Sequence, residues 1–291
     1  MPLTEFFKKA NSAPTGTGDA SLPPGTVHVD WKGGITVWVH ETPPQVWNLK
    51  WIANNSPRPY GGAKYRDVAI SLPYIVIVAV FEKAPDGSHV LAANNECFFR
   101  TAPLTSCEKD ELLVPGLLNC SLFGPVGGKK IAVNGHSVVW ICSQYLMPQL
   151  HELHAAPESR MRGSFDMLYS TLMSTGYNFS SDEHEYSSGF KESTGVLLDH
   201  CKKTLGQKSQ HTDPRKAAID AWVNMTAKDP DVGLKVPWHR TGCTVREVID
   251  RIYSHHSCAR EKDIDTADDI ARIVMNNPAR VRPRRRRGLQ I

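Results

Sequence analysis

Apolar and polar residues alternate with a period of two through the first half of the chain, the spacing that sends successive side chains to opposite faces of a strand. Val27 to Trp31 and Ile35 to His40 alternate around Lys32-Gly33-Gly34, which predicts a hairpin closed by a tight glycine turn. From Val46 to Ile52 the residues Trp47, Leu49 and Trp51 share one face, so a third strand is expected. Asn54 to Gly62 holds two prolines and two glycines and reads as a loop. Tyr65 to Ser71, Tyr74 to Glu82 and Glu96 to Thr101 are further strands, and the middle one, apolar on both faces, belongs at the centre of its sheet. Lys130 to Val133 and Ser137 to Cys142 flank Asn134-Gly135, a pair that supplies the positive φ angles of a type I′ hairpin turn.

After Pro148 the period lengthens to that of a helix. Met161, Phe165, Leu168 and Leu172 form one stripe, with Gly176 placed to end it. Asp213-Pro214 opens a second helix whose apolar face is Ala218, Trp222 and Met225. Thr244 and Glu247 fit a capping box, in which each side chain satisfies the other's free backbone N–H, and Val245, Val248, Ile249 and Ile252 follow as its buried stripe. Another helix is expected from Asp265 to Asn276, and the polar stretches Ser180 to Ser193 and Lys202 to Thr212 read as loops. Strands first and helices second predict an α+β protein: an N-terminal, mainly antiparallel β-meander or sheet followed by a C-terminal helical half. The expected organisation is a flexible lead-in over 1–26, a β-rich region over 27–147, a helical region over 148–277 and a basic tail over 278–291. The helical region either packs on the sheet or forms a second subdomain.

Composition narrows the class. With 41% hydrophobic and 22% charged residues the chain is neither disordered nor fibrous. The run Leu72 to Phe81 falls well short of the ~20 apolar residues a membrane span needs, and the N-terminus has no signal-peptide pattern. Seven cysteines with no Cys-x-x-Cys pair point to a reduced, cytoplasmic protein without a disulfide framework.

Several motifs invite chemistry. Gly124 to Lys130 is one residue short of a P-loop and precedes a strand, and the Gly-x-Gly-x-x-Gly fingerprint is absent, so no cofactor is expected. His151 and His154, the run Asp182-Glu183-His184-Glu185, and His255, His256 and Cys258 with Cys243 contain metal-ligand types. Their spacing matches no established metal motif, and metal-dependent hydrolysis stands as a further alternative only. Cys120 is the better nucleophile, with Asn119 beside it to donate to an oxyanion, whereas Cys142 ends an apolar strand as a buried thiol.

In element order (antiparallel meander, proline turn, Asn-Cys loop, helices) the stretch from Tyr65 to Leu172 resembles a ubiquitin-conjugating (E2-like) domain. That resemblance implies acyl transfer through a thioester on Cys120, with Asn119 stabilising the oxyanion. Leu117-Leu118-Asn119 stands where that family carries His-Pro-Asn. Trp238, in Val-Pro-Trp-His-Arg, reads as an exposed aromatic anchor for a docking partner.

Charge sharpens the picture most. Arg280, Arg282, Arg284, Arg285, Arg286 and Arg287 crowd the last twelve residues without an acid among them. Taking six from the net +4 leaves −2 for residues 1–279, so the basic excess belongs to one segment. Arginine clusters hold phosphates and carboxylates through charge-assisted, bidentate hydrogen bonds. The leading expectation is therefore an intracellular assembly or interaction protein that engages nucleic acid or an acidic partner through this segment, with no membrane partner.

Overall fold

One long antiparallel ribbon organises the molecule. In the computed structural model, which describes residues 22–52, 65–84, 87–92, 94–116, 120–123, 138–141, 157–174, 191–206 and 214–256, strand β2 (Ile35–Thr42) pairs with β5 (Tyr74–Lys83), and β3 (Gln45–Ile52) pairs with β4 (Tyr65–Leu72). The two ladders share one register: partner numbers add to 117 from Ile35 with Glu82 to Ile52 with Tyr65. Between them, Pro43-Pro44 lies opposite Pro73. Proline has no N–H to donate, so the ladder breaks there and a single ribbon is divided between two sheets.

The larger sheet has nine strands in the order β1-β2-β5-β7-β10-β9, with β6, β8 and β11 attached beside this path. Strand β1 (Thr26–Lys32) joins β2 through Gly33 and Gly34, both at positive φ (58° and 83°), which closes the hairpin foreseen here with a tight glycine turn. As expected, β5 is central and buried on both faces, from Ile75 to Phe81. Along one edge it changes partner, from β6 (His89–Leu91) to β7 (Glu96–Arg100). At the change, Asn95, fully buried, accepts from Val80 N through Oδ1 (2.9 Å) and donates to Ala92 O through Nδ2 (2.6 Å). Its amide thus serves Val80 N between the two strands, while Val80 O accepts from Ala92 N (2.8 Å).

Strand β8 (Glu111–Leu113) joins β7 to β11 (Arg240–Thr244), while β9 (Cys120–Phe123) and β10 (Val138–Ile141) complete the far edge. Strands β6, β8, β9 and β11, three to five residues each, are additions to the sequence-based reading. The hairpin expected across Asn134-Gly135 lies outside the described residues except for β10, whose described partners are β9 and β7.

Among the described residues, four helices precede β11: α1 (Pro157–Ser174), α2 (Lys191–Leu205), α3 (Pro214–Lys228) and the single turn α4 (Val232–Lys235). Helix α1 packs on β6 and β3, α3 on β4, and α2 on α3. The fold is α+β, with antiparallel strands leading and helices following. Helix α2 corrects one expectation. Lys202 and Lys203, read as part of a loop, form its last turn, where cations suit the helix dipole, and Leu197 and Cys201 bury the face beneath them.

The chain divides into two compact units, residues 1–248 and 249–291. A helix, α5, begins at 245 behind the foreseen capping box: Thr244 N donates to Glu247 Oε2 (2.8 Å), and Glu247 N donates to Thr244 Oγ1 (3.3 Å). In the second unit the described residues are helical 249–256, where the rings of His255 and His256 meet edge to face at 5.8 Å. The helix expected over 265–276 lies outside the described residues. Among the described residues, no helix is long and apolar enough to cross a membrane.

Candidate functional site

Three polar clusters stand out among the described residues of the first unit. The most buried starts on β2, where Trp38, His40 and Thr42 take alternate positions and so share a face. Helix α1 brings Phe165 and Tyr169 over them, 5.0 Å and 5.6 Å from the His40 ring. His40 Nε2 is 3.2 Å from Thr42 Oγ1, and Thr42 donates onward to the Tyr169 hydroxyl at 3.3 Å. With Thr42 donating to Tyr169, its oxygen takes the proton of Nε2–H, which leaves His40 Nδ1 as a buried lone pair without a partner among the described residues. Gly25 closes the other side: a Cβ there would lie 2.8 Å from His40 Cε1. Burial, reinforced by the Arg162 charge and only partly opposed by Asp166, pushes the imidazole down to about 4. Such a group can accept a proton only at the cost of its packing.

The second cluster is shallower. Arg246, at the start of α5, donates from Nη1 to Asp30 Oδ2 (2.7 Å) and lies 4.0 Å from Glu108. His28 Nε2 is 3.9 Å from Asp30, and Arg246 N donates to the Cys107 carbonyl (2.8 Å). The residue types are those of a thiol site, but the environment opposes nucleophilic chemistry. Burial and then the Glu108 carboxylate push the Cys107 thiol up, against the pull of Arg246. Burial likewise raises Cys201.

The third cluster is an anchor. Arg100 donates to the carbonyls of Ala102, Glu111 and Pro103 and pairs with Asp110 at 3.3 Å. Asp110 Oδ2 accepts from Thr105 N (2.6 Å) and Ser106 N (2.9 Å). Desolvation would raise this carboxyl, but these bonds and the Arg100 charge outweigh it and hold it low. Glu41, raised by its own burial, accepts from Leu104 N at 2.6 Å. The arrangement fixes loop 101–110 onto the sheet.

The residues singled out from sequence fall elsewhere. Cys120, expected in a loop, opens strand β9 opposite Ile141 of β10; this ladder supplies the backbone hydrogen bonds that a loop would leave to water. Asn119, Cys142, His151, His154 and Asp182 to Glu185 lie outside the described residues, as do Cys258 and Arg280, Arg282 and Arg284 to Arg287. Cys243 is buried, its thiol 3.2 Å from Thr241 Oγ1. Among the described residues, no three His, Cys, Asp or Glu side chains are grouped so as to hold a metal ion.

Trp238 requires a correction: it is 4% exposed, not a surface anchor. Its ring packs on Phe99 (5.1 Å) and Trp222 (5.4 Å), and its Nε1 donates to Gly233 O at 2.8 Å. Gly116 makes room, since a Cβ there would come within 2.9 Å of the indole.

His40 was open to detection as a histidine inside an apolar alternation, but its partner Tyr169 lies 127 residues beyond Thr42 and carries no local signal. The chain matches no protein-family model, no curated protein and no solved structure.

Proposed function

We propose that the protein is a cytoplasmic assembly or interaction protein that engages a polyanion, nucleic acid in the first place, through residues 280–291. The observation that carries this reading is the segregation of charge: six arginines and no acid lie in those twelve residues, and the remainder is net negative at −2, six below the total of +4. A negative body leaves the arginine segment as the place where a polyanion gains most from contact.

The test is binding of a fluorescent 20-nucleotide duplex by the full chain and by a chain ending at residue 279, across a salt series. If all six arginines meet phosphates, the affinity of the full chain falls about a thousandfold between 50 and 200 mM salt, from a slope of about −0.9 per contact. Truncation then removes both the binding and the slope. Equal binding by the two chains sinks the proposal, and tight binding to an acidic polypeptide in place of the duplex moves it to a protein partner.

A further inference from the structure

Helix α1 lies over strands that carry two buried histidines, His40 on β2 and His89 on β6. Each leaves its Nδ1 buried without a hydrogen-bond partner among the described residues. The aromatic face of α1 rests on the first of them: Phe165 and Tyr169 cover His40, Phe165 also reaches Trp38 (6.3 Å), and Tyr169 reaches Trp47 (6.3 Å). We propose that α1 is an acid-released clamp: when His40 takes up a proton, Phe165 and Tyr169 lift from the sheet and α1 opens while the strands beneath it stay paired.

Among the described residues, the surroundings of His40 supply no buried counter-ion. From α1 it faces Arg162, Asp166 and Tyr169, and from its own strand Thr42. Arg162 adds like charge. Asp166 is already committed to Arg162 at 3.0 Å and is 54% exposed. The paired positions on β1 and β5 are Thr26 and Ile77, and the turn behind the ring presents Gly25, none of which bears a charge. The ring of Trp47 on β3 is likewise uncharged. At His89 the neighbouring charge is Lys83, again of the wrong sign to receive an imidazolium. An imidazolium at either place therefore reaches solvation most readily by opening the structure above it.

The sign follows from the two states. Closed, His40 stays neutral down to about 4; open, it protonates near the ordinary 6.5. Above that value neither state gains a proton and the clamp holds fully. Below it, the open state gains about tenfold per pH unit, or about thirtyfold between pH 7.5 and 5.0.

Hydrogen exchange of the full chain at pH 7.5 and 5.0, corrected for the intrinsic rate, tests this. Peptides covering 157–174 should lose protection by that factor, and peptides covering 74–83 should keep theirs. His40→Gln, which retains a polar side chain but cannot titrate, should flatten the response. Unchanged protection of α1, parallel loss in α1 and β5, or an undiminished response in His40→Gln overturns the proposal. Should that variant fail to fold, the imidazole C–H resonances of the wild-type chain decide. A histidine still neutral at pH 5 that changes state as α1 opens is expected, and titration of every histidine near 6.5 with α1 closed refutes the clamp.

Discussion

Two helix-on-sheet corners of this molecule are built from the same materials and finished differently. At the first, Trp222 and Trp238 pack beside Phe99, and the polar atoms among them are matched. Trp222 Nε1 donates to Ser71 O (2.8 Å), Trp238 Nε1 to Gly233 O (2.8 Å), Gly233 N to Ser71 Oγ (3.1 Å), and Ser71 N to Thr226 Oγ1 (2.9 Å). At the second, Trp38, His40 and Trp47 pack beneath Phe165 and Tyr169, yet Trp38 Nε1, Trp47 Nε1 and His40 Nδ1 have no partner among the described residues. Apolar burial holds both corners, since removing an aromatic ring from water contributes on the order of 2–3 kcal/mol. Only the first also recovers the cost of desolvating its polar groups, which is about 1–3 kcal/mol for each one left unpaired. A matched corner is locked, and an unmatched one is held by packing alone.

The largest effect should come from emptying the locked corner. Trp238→Ala should cost about 3–5 kcal/mol, measured by urea unfolding, because it opens a cavity against Phe99 and Trp222. A loss below ~1 kcal/mol would mean that the indole is not the keystone its burial suggests. Trp31, 39% exposed, is the control, and Trp31→Ala should stay within about 1 kcal/mol.

Gly233→Ala comes next. A Cβ at this position would sit 2.7 Å from Ser71 O and 2.9 Å from both Leu72 C and Pro73 N, all main-chain atoms that cannot swing aside. Overpacking of that kind costs about 1–3 kcal/mol. A neutral substitution would show that α4 can slide on the sheet and that the corner is looser than its hydrogen bonds imply.

These positions also mark where local sequence stops being informative. The turn at Gly33-Gly34, the period-two strands and the Thr244–Glu247 box were legible because their causes lie within a few residues. The α+β order followed from the change of period near Pro148. Trp238 reads as exposed because Val-Pro-Trp-His-Arg is a loop by composition, but its burial depends on Gly116 and Phe99, more than a hundred residues earlier. The prolines that split the long ribbon were visible, but not that Pro43-Pro44 would fall opposite Pro73, which the shared register decides. Of the sequence-derived site residues, Cys120 has a backbone placement, and Trp238, Cys243, His255 and His256 have full ones. His40, which the structure makes interesting, could only be noticed, because what it touches comes from a helix beginning at Pro157.

A matched pair of substitutions isolates the polar difference between the corners. Trp238→Phe and Trp38→Phe remove similar ring volume, but the first also strands the Gly233 carbonyl, whereas the second deletes an N–H that has no partner among the described residues. The two variants should differ by about 1 kcal/mol, with Trp38→Phe the milder. Equal losses would erase the distinction between a locked and an unlocked corner.

The smallest effect should come from the Thr42 hydroxyl, with Thr226 as its contrast. Thr226→Val at the locked corner takes the acceptor from the buried Ser71 N–H and should cost about 1–3 kcal/mol. Thr42→Val at the other corner breaks two longer contacts, 3.2 Å to His40 and 3.3 Å to Tyr169, and should cost under about 1 kcal/mol at pH 7.5. Its value lies in acid. If Thr42 were the group that senses pH through the chain to Tyr169, the valine variant would lose the opening of α1 at pH 5. If the proton goes to His40, the opening must survive in Thr42→Val and grow no weaker, because an imidazolium beside valine has even less to receive it.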